Sequence, residues 1–212
     1  MKGTVNLMLG SNPKDKREEN DFYATHPHAV EIALPTFEKI GLGGKKKEVW
    51  ECACGQGHIS KTLEKNGYKV FSTDLIDRGY GQVQDFLKFE SFVDCDIISN
   101  PPFALAEDFV EHAMRIVRDG IKVVFLLKIQ FLEGKRRKKL FEKYPPKYVI
   151  VNSERQHCCK NAEFNKLTAT TQCYAWYVWE QGFNGRPEIM WISREVGENE
   201  LHRRTKRFGK ET

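Results

Sequence analysis

Val49-Trp50-Glu51-Cys52-Ala53-Cys54-Gly55-Gln56-Gly57-His58 is a short apolar run that breaks into two glycines and then turns polar and periodic. A strand that ends in a Gly-x-Gly turn and opens a helix lets backbone approach a ligand closely. It also aims the unpaired N–H groups of the helix start at that ligand. Working forward, the pattern predicts a helix over about 58–66, a second strand over 69–73, and an acid, Asp74, where that strand ends. A carboxylate at this spacing is placed to accept both hydroxyls of a ribose.

Two ligand classes compete for such a turn. A dinucleotide fingerprint has a third glycine where this chain has Ser60, and Glu51 at the head of the loop would oppose a pyrophosphate. S-adenosylmethionine carries no phosphate, and its ammonium group gives Glu51 a partner. The residues favour the methyl donor.

Outward from this turn, short apolar runs alternate with helical periodicity. Strands are predicted at 96–99, 123–127, 148–151, 174–179 and 188–192, with helices over about 105–117 and 133–143. An amphipathic signal spans 21–40, with Thr25 as its N-cap. Alternating strands and helices imply an α/β domain with a mostly parallel sheet. The chain has 212 residues, 40% hydrophobic and 12% aromatic, enough for one sizeable core, which excludes a disordered protein. The expected organisation is a flexible segment at 1–20, a single domain at 21–195, and a basic tail at 196–212. Its longest apolar runs are too short to span a bilayer and its first residues do not read as a signal peptide, so a cytoplasmic protein is expected. Six cysteines include no Cys-x-x-Cys pair, and no metal site is expected.

Asn100-Pro101-Pro102-Phe103 follows the strand at 96–99, at the sheet edge where α/β ligands bind. Two prolines stiffen the loop and remove two backbone donors, which leaves carbonyls to face a ligand. An amino group conjugated to a base ring is a poor nucleophile because its lone pair is delocalised. The Asn100 side-chain oxygen and the Pro101 carbonyl could each accept one amino hydrogen and favour a more tetrahedral nitrogen, ready for in-line attack on a methyl. Phe103 would stack on a base swung out of its helix.

With these residues in place, the sequence resembles the class I S-adenosylmethionine-dependent methyltransferases, and among them the adenine-N6 DNA methylases of bacteria and phages. The resemblance rests on Asp21-Phe22-Tyr23-Ala24-Thr25, Glu51 to Gly57, and Asn100 to Phe103. It implies a Rossmann-like, mostly parallel seven-stranded sheet with helices on both faces and its last strand antiparallel. It further implies that Tyr23 and Thr25 meet the methionine end of the methyl donor, and that Glu51, Cys54, Gly55 and Gly57 line its amino-acid portion. Asp74 and Leu75 would hold the ribose, and Asp85 with Phe86 the adenine ring. Asn100, Pro101, Pro102 and Phe103 would hold the target base. Ala24 and Cys52 stand where relatives often have proline, and no separate target-recognition domain is evident.

The charge balance, 34 Lys+Arg against 29 Asp+Glu, permits a polyanionic partner. Lys135-Arg136-Arg137-Lys138-Lys139 is the densest basic run. At helical spacing it would present Arg136, Lys139 and Lys143 to phosphates, with Lys135 and Arg137 beside them. The long polar stretch 152–172 is the expected place for base-edge contacts, with Phe164 as a second stacking ring. The expected activity is methyl transfer to the N6 amino group of adenine in DNA. RNA adenine, a protein glutamine amide, and a catalytically silent nucleic-acid-binding module of the same fold are the alternatives.

Overall fold

Lys122–Lys128 explains the sheet best: a run of seven with five consecutive buried apolar side chains, which suits a strand covered on both faces. Val123, Phe125 and Leu127 point into one core and Val124 and Leu126 into the other. The computed structural model describes residues 23–153, 158–160 and 173–193, the middle segment by its backbone alone. The expected segments at 1–20 and 196–212, and Phe164, lie outside the described residues.

In chain order the strands are β1 (Tyr23–Thr25), β2 (Glu48–Glu51), β3 (Lys69–Asp74), β4 (Gln82–Val83), β5 (Asp96–Ser99), β6 (Lys122–Lys128), β7 (Tyr148–Asn152), β8 (Cys158–Lys160), β9 (Tyr174–Glu180) and β10 (Glu188–Ile192). The α-helices are α1 (Pro27–Lys39), α2 (His58–Lys65), α3 (Ala106–Ile116) and α4 (Lys135–Lys143). Eight strands form one sheet in the order β10-β7-β9-β6-β5-β2-β3-β4. Helices α3 and α4 cover one face, over the core of Trp50, Phe109, Phe125 and Trp179. Helices α1 and α2 cover the other, over Val30, Phe37, Leu63 and Trp176. The Rossmann-like layering is therefore as expected.

Three expectations need correction. The sheet has eight strands rather than seven: the two-residue β4 adds to the seven predicted runs, and β10 pairs parallel with β7 at the opposite edge. The antiparallel strand is β9, inserted between β6 and β7 and opposed to both. Thr25 is not the cap of α1: it belongs to β1, and His26 caps the helix by accepting from the His28 N–H at 3.2 Å. β1 is held by β8, antiparallel, with Thr25 opposite Cys158. Part of the long polar stretch thus forms the second strand of a small sheet. The two-residue β4 gave no legible pattern, being exposed on both positions.

The aromatic run of β9 is core, buried on both faces of the sheet. Tyr177 and Trp179 pack on the α3/α4 side, and Trp176 packs edge-on against Phe37 at 5.2 Å and donates its indole N–H to the Ala29 carbonyl. Trp176 therefore ties α1, and with it the strand before it, to the sheet. Trp176→Ala should cost about 3–5 kcal/mol of unfolding free energy, read by urea denaturation. A loss under 1 kcal/mol would mean that the α1 contact is dispensable.

Candidate active site

The turn between β2 and α2 is built on left-handed backbone: φ is +54° at Gly55 and +77° at Gly57. Gly57 serves the fold, since a Cβ there would run into the Tyr80 ring. It does not line the pocket. Gly55 does, and its N–H donates to Asp74 Oδ2 at 2.8 Å. The Ile76 N–H donates to the other carboxylate oxygen at 3.0 Å. Two backbone donors thus aim the Asp74 carboxylate and leave further lone pairs for hydroxyls.

These groups open on a pocket of about 830 Å³, counting the space at its mouth, along the C-terminal edge of β2, β3 and β5. That suits a ligand of nucleoside size. Of the residues singled out from the sequence, Tyr23, Thr25, Glu51, Cys54, Gly55, Asp74, Leu75, Asp85, Phe86, Asn100 and Pro102 line it. They come from five separate stretches of chain. Pro101 is buried behind the loop and Phe103 lies outside this pocket. His58, Ile76, Arg78, Leu105 and Phe109 also line it and were not foreseen. Only adjacency to a motif could have marked His58, Ile76 and Leu105, and nothing local distinguishes Phe109 from an ordinary core residue.

Asn100 carries the most informative geometry. Its side-chain NH₂ donates to the Tyr23 carbonyl at 2.8 Å, which fixes which way the amide points. The opposite atom, Oδ1, is buried and has no hydrogen-bond partner among the described residues. A buried acceptor left unmade costs about 1–3 kcal/mol unless a ligand fills it. Thr25 Oγ1 is a second such atom on the same wall. Both are acceptors that a ligand with N–H or O–H groups would satisfy.

Glu51 is 1% exposed. One of its oxygens accepts from both the N–H and the hydroxyl of Ser60, whose hydroxyl also meets that of Ser72 at 2.6 Å. Ser60, the residue that breaks the dinucleotide fingerprint, is thus the support of Glu51. Burial pushes the Glu51 carboxyl up to about 8, with Asp74 and Glu64 adding to the shift and the Ser60 hydrogen bonds opposing it. The folded protein then holds a proton that the unfolded chain gives up near 4.5, so stability falls as pH rises through that window. Glu51→Gln keeps the oxygen facing Ser60 and should flatten this decline, with the variant gaining a few kcal/mol over the parent by pH 8. Parallel pH profiles of thermal midpoint would contradict it. Burial likewise pushes the Cys54 thiol up to about 12, which makes it a wall rather than a nucleophile.

Asp85 caps a short 3-10 turn through the Leu87 N–H at 3.1 Å and pairs with Lys88 at 3.0 Å, while Phe86 is wedged between Trp50 and Phe109. The carboxylate and the ring therefore line the pocket on rigid supports. Phe103 stacks on Tyr23 at 5.9 Å and lies 5.8 Å from the Tyr174 ring, so part of its surface is already covered. It opens instead on a smaller cavity beside Lys128 and Phe131.

The basic helix is less open than its sequence implied. Arg137 donates to the carbonyls of Gln130 and Glu133, both at 3.0 Å, and Glu107 pairs with Arg136 at 3.3 Å and Arg137 at 3.4 Å. Lys135 and Lys139 remain exposed. Among the described residues no cluster of His, Cys, Asp and Glu is placed to hold a metal, and no helix is long and apolar enough to cross a membrane.

A Gly-x-Gly turn after β2, an acid closing β3, and a pocket along the carboxyl edge of a mostly parallel sheet define a Rossmann-like fold. Solved structures agree. A protein assigned as a class I S-adenosylmethionine-dependent methyltransferase, from Listeria monocytogenes, superposes with TM-score 0.58 at 17% identity, over 92% of this chain and 73% of that one. A protein assigned as an O-methyltransferase from Agrobacterium tumefaciens gives 0.50 at 12% identity, over 72% of this chain and 83% of that one. The type IIG restriction endonuclease BpuSI gives 0.55 at 10% identity, with 77% of this chain spanning 26% of the endonuclease. No family model matches the sequence. No curated protein matches it either.

Proposed function

We propose that the chain transfers a methyl group from S-adenosylmethionine to the N6 amino group of adenine in DNA. The carrying observation is the buried, unpartnered Asn100 Oδ1, held in place by the Tyr23 carbonyl on the opposite end of the amide. The pocket supports the methyl donor: Asp74 would take the ribose hydroxyls, Asp85 and Phe86 the adenine, and Thr25 and Glu51 the amino-acid end. When bound, this group supplies a sulfonium methyl. A cationic ammonium beside Glu51 would draw off the proton that burial leaves there, since a nearby positive charge favours the carboxylate.

Asn100 Oδ1 accepts one hydrogen of the incoming amino group and turns its nitrogen lone pair toward the pocket. With the methyl donor bound, that nitrogen would be placed to take its methyl, the electron pair of the broken S–C bond staying with the departing sulfur. The methylated nitrogen, cationic after attack, sheds its proton to solvent. Asn100 takes no proton; it orients and polarises. Adenine is favoured over a protein amide by the cations around the loop, Lys128 and Arg137, and over cytosine by Asn100 where relatives acting on cytosine often carry serine. The BpuSI likeness, though it extends only to the fold, belongs to an enzyme that acts on DNA.

The test is mass spectrometry of nucleosides from the DNA and RNA of cells expressing the protein. N6-methyladenine rising in DNA supports the proposal. A rise confined to RNA assigns the substrate to RNA, and no rise in either, with labelled methyl in protein, assigns it to a glutamine amide.

A further inference from the structure

The smaller cavity, about 320 Å³ including its open side, lies behind the Asn100 loop, between the end of β6 and the start of α4. Phe103 forms one wall and Phe131 another, with Lys128, Gln130 and Arg137 around them. The Lys128 ammonium sits 5.0 Å above the centre of the Phe103 ring, and the Arg137 guanidinium 5.0 Å from that of Phe131. Both cations are thus placed over aromatic faces, where their charge is held without full hydration.

Resting on the adenine-methylation reading above, we propose that this cavity seats the DNA phosphate next to the target adenine, with Lys128 as its direct contact.

Three observations support it. The first is position. Phe103 belongs to the loop that carries Asn100 and lines this cavity rather than the larger one, so a strand whose base reached Asn100 Oδ1 would have its backbone within reach of this side of the loop. The second is charge, which the shared Glu107 offsets only in part. Helix α4 begins Lys135-Arg136-Arg137 with no acid in its first turn and no side-chain cap at Gly134. Cations at a helix start oppose its dipole, so this end is destabilised until an anion arrives. Glu107 is the only carboxylate shown pairing with these arginines among the described residues, and it is shared between two of them. The third is rigidity. The Tyr177 hydroxyl donates to the carbonyls of Lys128 and Ile129, each at 3.2 Å, and fixes the backbone from which Lys128 extends. Arg137 donates to two carbonyls and pairs with Glu107, and supplies wall and background charge.

The test uses the full chain and duplex oligonucleotides containing the methylated site, each with one flanking phosphate replaced by a neutral methylphosphonate. Lys128→Met should raise KM for unmodified DNA about tenfold and reduce the log–log salt slope by about 0.9, the value for one phosphate. The dissociation constant for S-adenosylmethionine should stay unchanged, which also shows that the variant is folded, and Lys128→Arg should restore most of the loss. One methylphosphonate position should weaken the parent protein by a similar factor and leave Lys128→Met unaffected. Additive losses, or a parent protein indifferent to every flanking position, overturn the inference. Methyl transfer to DNA would still be intact in those cases. A parent protein that transfers nothing to DNA overturns the adenine-methylation reading, and this inference with it.

Discussion

Asn100→Ala is expected to lower the methyl-transfer rate by about 10²–10³-fold, the loss seen when one positioned hydrogen-bonding group is removed from a reacting centre. Affinity for S-adenosylmethionine should survive, because the ribose and adenine supports, Asp74, Asp85 and Phe86, stand on other stretches of chain. Single-turnover transfer of labelled methyl, alongside calorimetric titration of the methyl donor, separates the two quantities. The variant also removes the donor to the Tyr23 carbonyl, so some loosening of β1 is expected. A thermal midpoint near that of the parent keeps the interpretation clean. Near-normal turnover would remove Asn100 from the chemistry, and loss of methyl-donor binding as severe as that of the Asp74 variant would mean that the roles are misassigned.

Asp74→Ala should do the converse. A carboxylate accepting ribose hydroxyls makes hydrogen bonds to a charged group, each worth about 1.5–3 kcal/mol, so losing two weakens methyl-donor binding by about 10²-fold or more. The same carboxylate accepts the N–H groups of Gly55 and Ile76, and its removal also unpins the turn between β2 and α2. Asp74→Asn separates the two effects. It keeps an acceptor for one backbone N–H but loses the charge, and should fall between parent and alanine in affinity while retaining most of the stability. A calorimetric affinity for the alanine variant within a few-fold of the parent would place the ribose elsewhere.

The two glycines show how far local reading reaches. Gly55 and Gly57 were both legible as a turn, and both adopt positive φ. That Gly55 faces the ligand pocket while Gly57 makes room for Tyr80 was not legible, because Tyr80 arrives from beyond β3. Ser60 is similar. From the sequence it is a missing glycine; in the fold it holds the buried Glu51. Phe103 reads as a stacking ring, and its contacts with Tyr23 and Tyr174 and its opening on the smaller cavity were not legible, because those neighbours come from distant strands. The basic run of α4 read as a phosphate-binding face, yet Arg137 is tied to its own loop and shares Glu107 with Arg136.

What the amino-acid order determined by itself is whatever depends on neighbours a few residues away. It set the alternation of strand and helix, the glycine turn after β2, the acid closing β3, and the stiff Asn-Pro-Pro loop after β5, since backbone preference and hydrophobic period are short-range properties. The tertiary structure alone decided that β9 would insert antiparallel between two neighbours and that β10 would pair with β7 at the edge, because strand pairing joins segments far apart in the chain. It alone decided which end of the Asn100 amide would be satisfied and which left open. That choice rests on a carbonyl 77 residues away, brought there by the packing of β1 over the sheet edge.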